Sequence, residues 1–426
     1  MLINKNNKTI FAWSMYDFAN QPYTTLVITF IYSTYFAKAI APNEIIGTAL
    51  WSRAMTITAL TVAFLSPIMG AVADKTGHRK LFLIFWTYVC IVGSFALYYP
   101  LPGEIYKALF WVVISNVGFE MGGLFCNAYL PDIAPKDKIG RISGYGWSLG
   151  YLGGLIALGI GYVFLVSPEN PMFGFSKELG ENIRATNIMV AIWFIIFSIP
   201  VFMGLSGTAK VNKSSSKNIW SDSFLEIKST FSNIKKYKEL VKFLIARIFY
   251  NDGLITIIAF GGIYAAGTFN FTFEDIFLFG IVLNITAGLG AFALGFLDDM
   301  IGGKKTVQVS NVGLIFACLL AVFTKSITVF WFSGILIGIF MGSNQAASRS
   351  LMARFIPENK ENEFFGFFAF TGKATAFLGP LLLGLVTQAF NSQRHGIFVV
   401  VVLLLTGFFL MSRVNEKVGI SQKESA

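Results

Sequence analysis

Residues 70–80 read GAVADKTGHRK, and their reading decides the fold. An apolar run rich in small residues leads into them and another apolar run follows. Between the two lie Gly70, Asp74, Lys75, Gly77, Arg79 and Lys80, a tight polar turn joining two greasy segments. A second version, GFLDDMIGGKK, stands at 295–305, with Gly295, Asp298, Asp299, Gly303, Lys304 and Lys305. Gly70 and Gly295 are 225 positions apart. A longer pair repeats at nearly the same interval. PKDKIGRISGYGWSLG at 135–150 aligns with PENKENEFFGFFAFTG at 357–372, so that Pro135, Gly144 and Gly150 meet Pro357, Gly366 and Gly372 at an offset of 222. Two independent matches at almost one offset predict a chain built as two similar halves, a common plan among secondary transporters.

Composition sets the class. The chain has 426 residues, of which 55% are hydrophobic and 13% charged, with 45 Phe. A soluble domain carries about 25% charged residues. A soluble protein could not hide this much apolar surface, whereas a bilayer protein needs to hide none of it. Twelve spans are expected, at about 10–37, 48–73, 80–99, 105–130, 141–166, 186–207, 239–266, 276–298, 304–323, 328–350, 362–390 and 395–413. The expected fold is an all-α integral membrane protein with 12 transmembrane helices in two pseudo-symmetric six-helix bundles. Residues 1–207 and 239–426 form the halves, and 208–238 the linker. The first apolar run has no small-residue cleavage site after it and is read as a retained span.

The net charge of +10 does not point to nucleic acid, because the basic residues sit in alternate loops. With the N-terminus inside, roughly 22 Lys/Arg fall on the cytoplasmic side and about 6 outside. Both termini are then cytoplasmic, and the expected location is a bacterial inner membrane. The linker opens with TAKVNKSSSKN, a flexible composition. It continues with Trp220, Phe224, Ile227, Phe231 and Ile234 at helical spacing among Lys228, Lys235 and Lys236, which fits a basic amphipathic helix on membrane lipids.

Charged and amide residues inside apolar spans are costly and therefore functional candidates. The first span carries Asp17, Asn20 and Gln21, with Pro22 favouring a kink. The fourth carries Glu120, with Asn116 one turn before it. A mid-membrane glutamate is either a proton carrier or the partner of a cation. The seventh span reads Arg247-Ile-Phe-Tyr250-Asn251-Asp252, echoing Tyr16-Asp17 of the first. Lys373 and Arg53 add intramembrane cations, and the six charges Asp17, Arg53, Glu120, Arg247, Asp252 and Lys373 sum to zero. They are expected to pair across a central cavity. The candidate substrate-binding set is Asp17, Asn20, Gln21, Asn116, Arg247, Asn251 and Lys373, with Glu120 and Asp252 as proton-coupling groups. Gly146, Gly150 and Gly154, echoed by Gly372, Ala376, Pro380 and Gly384, read as packing seams.

The spacing G-x-x-x-D-x-x-G-x-R-K at 70–80 resembles the cytoplasmic loop motif between the second and third helices of the major facilitator superfamily. That resemblance implies that Asp74 joins a charge network holding the outward-open state, with Gly70, Gly77 and Arg79 beside it and Asp298 and Asp299 in the second half. By its residues alone Asp74 can cap a following helix. YDFANQPY at 16–23, NAYLPD at 127–132, SGYGWSLGYLGG at 143–154 and YNDG at 250–253 together resemble the vacuole-effluxer-like branch of that superfamily, and the resemblance covers most of the chain. It implies amino-acid transport, since the branch includes a fungal autophagy-related vacuolar amino-acid exporter. The fourth span departs from many proton-coupled antiporters of the superfamily, which carry an arginine there; here the mid-span charge is Glu120, and their mechanism does not carry over.

No HExxH, HxxxxD, GxSxG or CxxC motif points to an enzyme or a metal, and no GxxxxGK[ST] loop points to ATP. No cofactor is expected. The expected partners are a small-molecule substrate, membrane lipids and a coupling ion, the proton first. Two other readings stand beside amino-acid transport: an exporter of amphipathic drugs, suggested by 16% aromatic residues, and a non-transporting sensor on the same fold.

Overall fold

The computed structural model describes residues 5–206, 219–232 and 234–425. The described residues are helical, joined by short turns. Eleven helices among them are long and apolar enough to cross a membrane, beginning with Glu44–Thr76 and ending with Gln393–Ser412. The path over residues 5–40 completes twelve spans. It runs as an α-helix over Lys5–Pro22, widens to a π-helix over Tyr23–Phe30, and continues through Tyr32–Tyr35 and Phe36–Ile40. Pro22 lacks the N–H that an α-helix needs, and the winding changes at the next residue.

The spans form two six-helix bundles. In the first, the first span lies on the fifth and sixth, and the third on the fourth and sixth; in the second, the seventh lies on the twelfth and the ninth on the tenth and twelfth. Two long contacts join the halves, the second span with the eleventh and the fifth with the eighth. These contacts are related by the sequence repeat. A Cβ on Gly144 would collide with the Ala291 carbonyl, and one on Gly366 with the Ser66 carbonyl. The two collisions are the same contact made twice, because 291 lies 225 beyond 66 and 366 lies 222 beyond 144. Small residues let the backbones approach where lipid supplies no hydrophobic drive.

The glycines of the fifth span sit against the first span, as a packing seam would. Gly146 has a second use: an added Cβ would stand 2.5 Å from an Asp17 oxygen and 2.6 Å from an Arg349 nitrogen. The eleventh span departs from the expected echo. Gly384 has nothing within 4 Å of an added Cβ, so it packs against no neighbour. The eleventh span is also broken. Its first segment, Glu361–Lys373, lies on the second span, and its second, Leu378–Phe390, lies on the seventh and twelfth instead.

The expected linker run 208–218 lies outside the described residues. The expected helix is present over Ile219–Ser232 and rests on the second span. Of its apolar stripe, Phe224 is exposed and Ile227 half-buried, whereas the side chains of Trp220, Phe231 and Ile234 lie outside the described ones.

Candidate functional site

The loops after the second, fourth, eighth and tenth spans share one face, called here the basic face, and there the halves are locked together. Gly77, at φ 69°, ends the second span in the left-handed conformation that glycine adopts without strain. That turn aims Asp74 across to the other half. Asp74 accepts hydrogen bonds from the Asn362 backbone N–H at 3.1 Å, the Asn362 amide at 2.6 Å and the Glu363 N–H at 2.7 Å. Asp74 therefore caps a helix, but the eleventh span rather than the one that follows it. Asp299 does the same in reverse, accepting from the N–H groups of Gly140 at 2.8 Å and Arg141 at 3.3 Å at the start of the fifth span. Each half thus places a carboxylate on the positive end of a helix in the other.

Ion pairs surround both caps. Arg79 is 3% exposed and reaches Asp132 at 2.6 Å and Glu361 at 2.9 Å, with its guanidinium 4.9 Å from the centre of the Tyr129 ring. Arg354 reaches Asp298 at 2.5 Å and Glu416 at 3.4 Å, and Arg141 reaches Asp299 at 2.5 Å. Gly70 completes the contact, since a Cβ there would collide with the Asn362 carbonyl. The expected set Gly70, Asp74, Gly77, Arg79, Asp298 and Asp299 is brought together around this seam.

Deeper in the membrane lies a residue that the sequence reading missed. Arg349 of the tenth span is buried and donates to Asp17 at 2.7 Å, Asn127 at 3.0 Å, the Ser143 hydroxyl at 2.9 Å and the Ser143 carbonyl at 2.6 Å. Its guanidinium stands 4.8 Å from the Trp13 ring and 5.5 Å from the Trp147 ring. Arg349 stands at the end of the expected tenth span, 328–350, and is not among the six charges expected to pair. The repeat could have exposed it, because the offset of 222 sets Arg349 opposite Asn127 and Arg354 opposite Asp132.

The expected six-charge cluster is only partly realised. Asp17 pairs with Arg349 instead of a member of that set. Arg53 is exposed and makes no ion pair among the described residues. Glu120 and Lys373 do pair, at 2.6 Å, across the halves. Their side chains are 23% and 29% exposed, whereas the Arg349 side chain is 3% exposed. Lys373 is the last residue before the break in the eleventh span.

Arg247 and Asn251 face that break rather than an acid. Arg247 donates to the Phe368 carbonyl at 2.8 Å and the Thr371 hydroxyl at 3.3 Å, and its guanidinium lies 3.6 Å from the centre of the Phe368 ring. Asn251 donates to the Gly372 carbonyl at 3.3 Å. Asp252, 1% exposed, accepts from the Thr375 hydroxyl at 3.2 Å. Among the remaining candidates, Asn20 is buried and Gln21 half-buried, and the buried Asn116 sets its amide 3.6 Å from the Met55 sulfur.

Comparison with known proteins places the chain in a family. Residues 5–424 match the family model described as "Vacuole effluxer Atg22 like". The "Uncharacterized MFS-type transporter YxiO" of Bacillus subtilis is 26% identical over 424 residues, covering 97% of each chain. Autophagy-related protein 22 of Yarrowia lipolytica is 23% identical, covering 85% of this chain and 74% of that one. A crystal structure of the Major Facilitator Superfamily transporter FucP, in the outward conformation, superposes with a TM-score of 0.75 at 13% identity, covering 97% of this chain and 99% of that one. This last likeness shows the fold.

Proposed function

The chain belongs to the vacuole effluxer Atg22-like family of membrane transporters, and on that premise we propose that it is a secondary active transporter of a small organic solute, amino acids first. The halves 1–207 and 239–426 rock about a site near the bilayer midplane, and the linker 208–238 ties them together. The basic face is the cytoplasmic face of a bacterial inner membrane, consistent with the loop charges. The seam described above then closes the cytoplasmic side.

The observation that carries the proposal is the Glu120–Lys373 pair. It joins the halves, is partly exposed, and stands at a helix break, the kind of discontinuity at which transporters bind solutes. An amino-acid zwitterion offers the matching charges. Its carboxylate takes Lys373 and its ammonium takes Glu120, so one ion pair becomes two and no charge is left unpaired in the membrane. Asn20, Gln21 and Asn116 supply neutral polar contacts around it. A proton gradient drives the cycle, each charge crossing yielding about 2.3 kcal/mol per 100 mV. Glu120 and Asp252 are the carboxylates proposed to carry the proton.

Purified protein in liposomes tests this. An imposed proton gradient should drive uptake of labelled amino acids, and a protonophore should abolish it. Glu120→Gln and Asp252→Asn should each uncouple uptake from the gradient. Full gradient-driven uptake in both variants would remove these carboxylates from the coupling role.

A further inference from the structure

We propose that Arg247 and Asn251 are positioning residues that, beside the Asp252–Thr375 contact, clasp the eleventh span at its break and so set Lys373 against Glu120. The inference rests on reading that pair as the solute site; one arm of its test does not.

The three side chains span little more than one turn of the seventh helix, and each grips a different level of the break. Arg247 holds the Phe368 carbonyl and the Thr371 hydroxyl. Asn251 holds the Gly372 carbonyl. Asp252 holds the Thr375 hydroxyl, two residues beyond Lys373. A helix that stops inside a membrane leaves its last carbonyls without intrahelical partners, and these must be satisfied by neighbours. Residues 374–377 form the turn between segments Glu361–Lys373 and Leu378–Phe390. The carbonyl of Gly372 is one of those last carbonyls, Phe368 lies one turn before it, and Thr371 and Thr375 bracket Lys373. The planar guanidinium also covers the Phe368 ring, which fixes the segment's rotation as well as its height.

The fit is made by the seventh span's own neighbours. Gly379 lets the second segment come close, since a Cβ there would collide with the Thr256 hydroxyl and stand 2.9 Å from the Asp252 carbonyl. Arg247, Asn251 and the Asp252 carboxylate are thus all occupied by the eleventh span, which leaves Glu120 and Lys373 to meet the solute.

Two measurements test the clasp. The first reads the break directly, inside one half, so that rocking does not disturb it. Spin labels go on Phe370→Cys, exposed on the first segment of the eleventh span, and Phe316→Cys, exposed on the ninth span. The native Cys90, Cys126 and Cys318 are buried. The full chain in nanodiscs should give one narrow distance. Arg247→Gln with Asn251→Ala should broaden or shift it, and Arg247→Lys, which keeps a cation near the Phe368 carbonyl, should recover part of the narrow distribution. A distribution in the double variant that coincides with the parent's overturns the proposal.

The second measurement is labelled amino-acid uptake. Arg247→Gln should raise KM about tenfold, as Lys373→Met does, and the two together should be no worse than Lys373→Met alone, because one acts through the other. Multiplied effects would make Arg247 a direct solute ligand and overturn the proposal. Absence of amino-acid uptake in the parent would instead count against the substrate reading, with the distance measurement still deciding the clasp.

Discussion

Lys373→Met leaves the Glu120 carboxylate in the membrane interior without the cation 2.6 Å away. Changing both residues, with Glu120→Gln, leaves no charge behind. The single substitution should lower stability by about 1–3 kcal/mol and the double by less, since stranding one partner costs more than removing the pair. Thermal unfolding of the three purified proteins checks the order. Arg349 is a harsher case. It satisfies four acceptors and lies over two tryptophan rings, and a lysine cannot reproduce that fork. Arg349→Lys should therefore cost about 2–4 kcal/mol despite keeping its charge. The same unfolding assay would contradict this if Arg349→Lys melted with the parent.

Helix termini carry the next level. Asp74 and Asp299 each cap a helix of the opposite half, so each cap exists only while the basic face is closed. Asp74→Asn and Asp299→Asn should each weaken the closed state by about 0.5–2 kcal/mol, and the two effects should add, because the caps share no atoms. At 1.4 kcal/mol the closed-to-open ratio falls about tenfold. A cysteine at Ser66, buried under Gly366 in the closed seam, would report the change. Its reaction with a thiol reagent added from the basic side should quicken in each single variant and more in the double. Equal rates in all of them would show that the caps do not bias the equilibrium. The cap itself was legible in the residue type of Asp74, but the capped helix was not, because capping chemistry is local while the partner lies 288 positions away.

Across the whole molecule the repeat makes a stronger prediction. Gly144 and Gly366 mark two equivalent points where the halves come close, against the carbonyls of Ala291 and Ser66. A valine at either position cannot be accommodated without separating the halves there. Gly366→Val should therefore shift the transporter towards the state open on the basic face, and Gly144→Val should do the same. Spin-label distances across the second and eleventh spans on that face should lengthen in both. An unchanged distance in well-folded protein would mean that the seam yields by local bending instead of opening. Solute uptake should fall in both variants, since a cycle held at one end does not turn over.

The residues alone determined that the chain lives in a membrane, where its spans run, that it is doubled, and which turn joins the second and third spans. These are local properties: transfer of apolar side chains into lipid depends on composition along about 20 residues, and a repeat is visible as spacing. The partners were decided only by the assembled bundles. Asp17 found Arg349 rather than one of the six expected charges, Arg247 found a carbonyl and a hydroxyl rather than an acid, and Arg53 found no ion-pair partner among the described residues. Which face of a helix meets which neighbour depends on how all the helices rotate and tilt to fill space together. A span's own sequence places a charge at a depth in the bilayer; the packing of distant spans decides what it meets there.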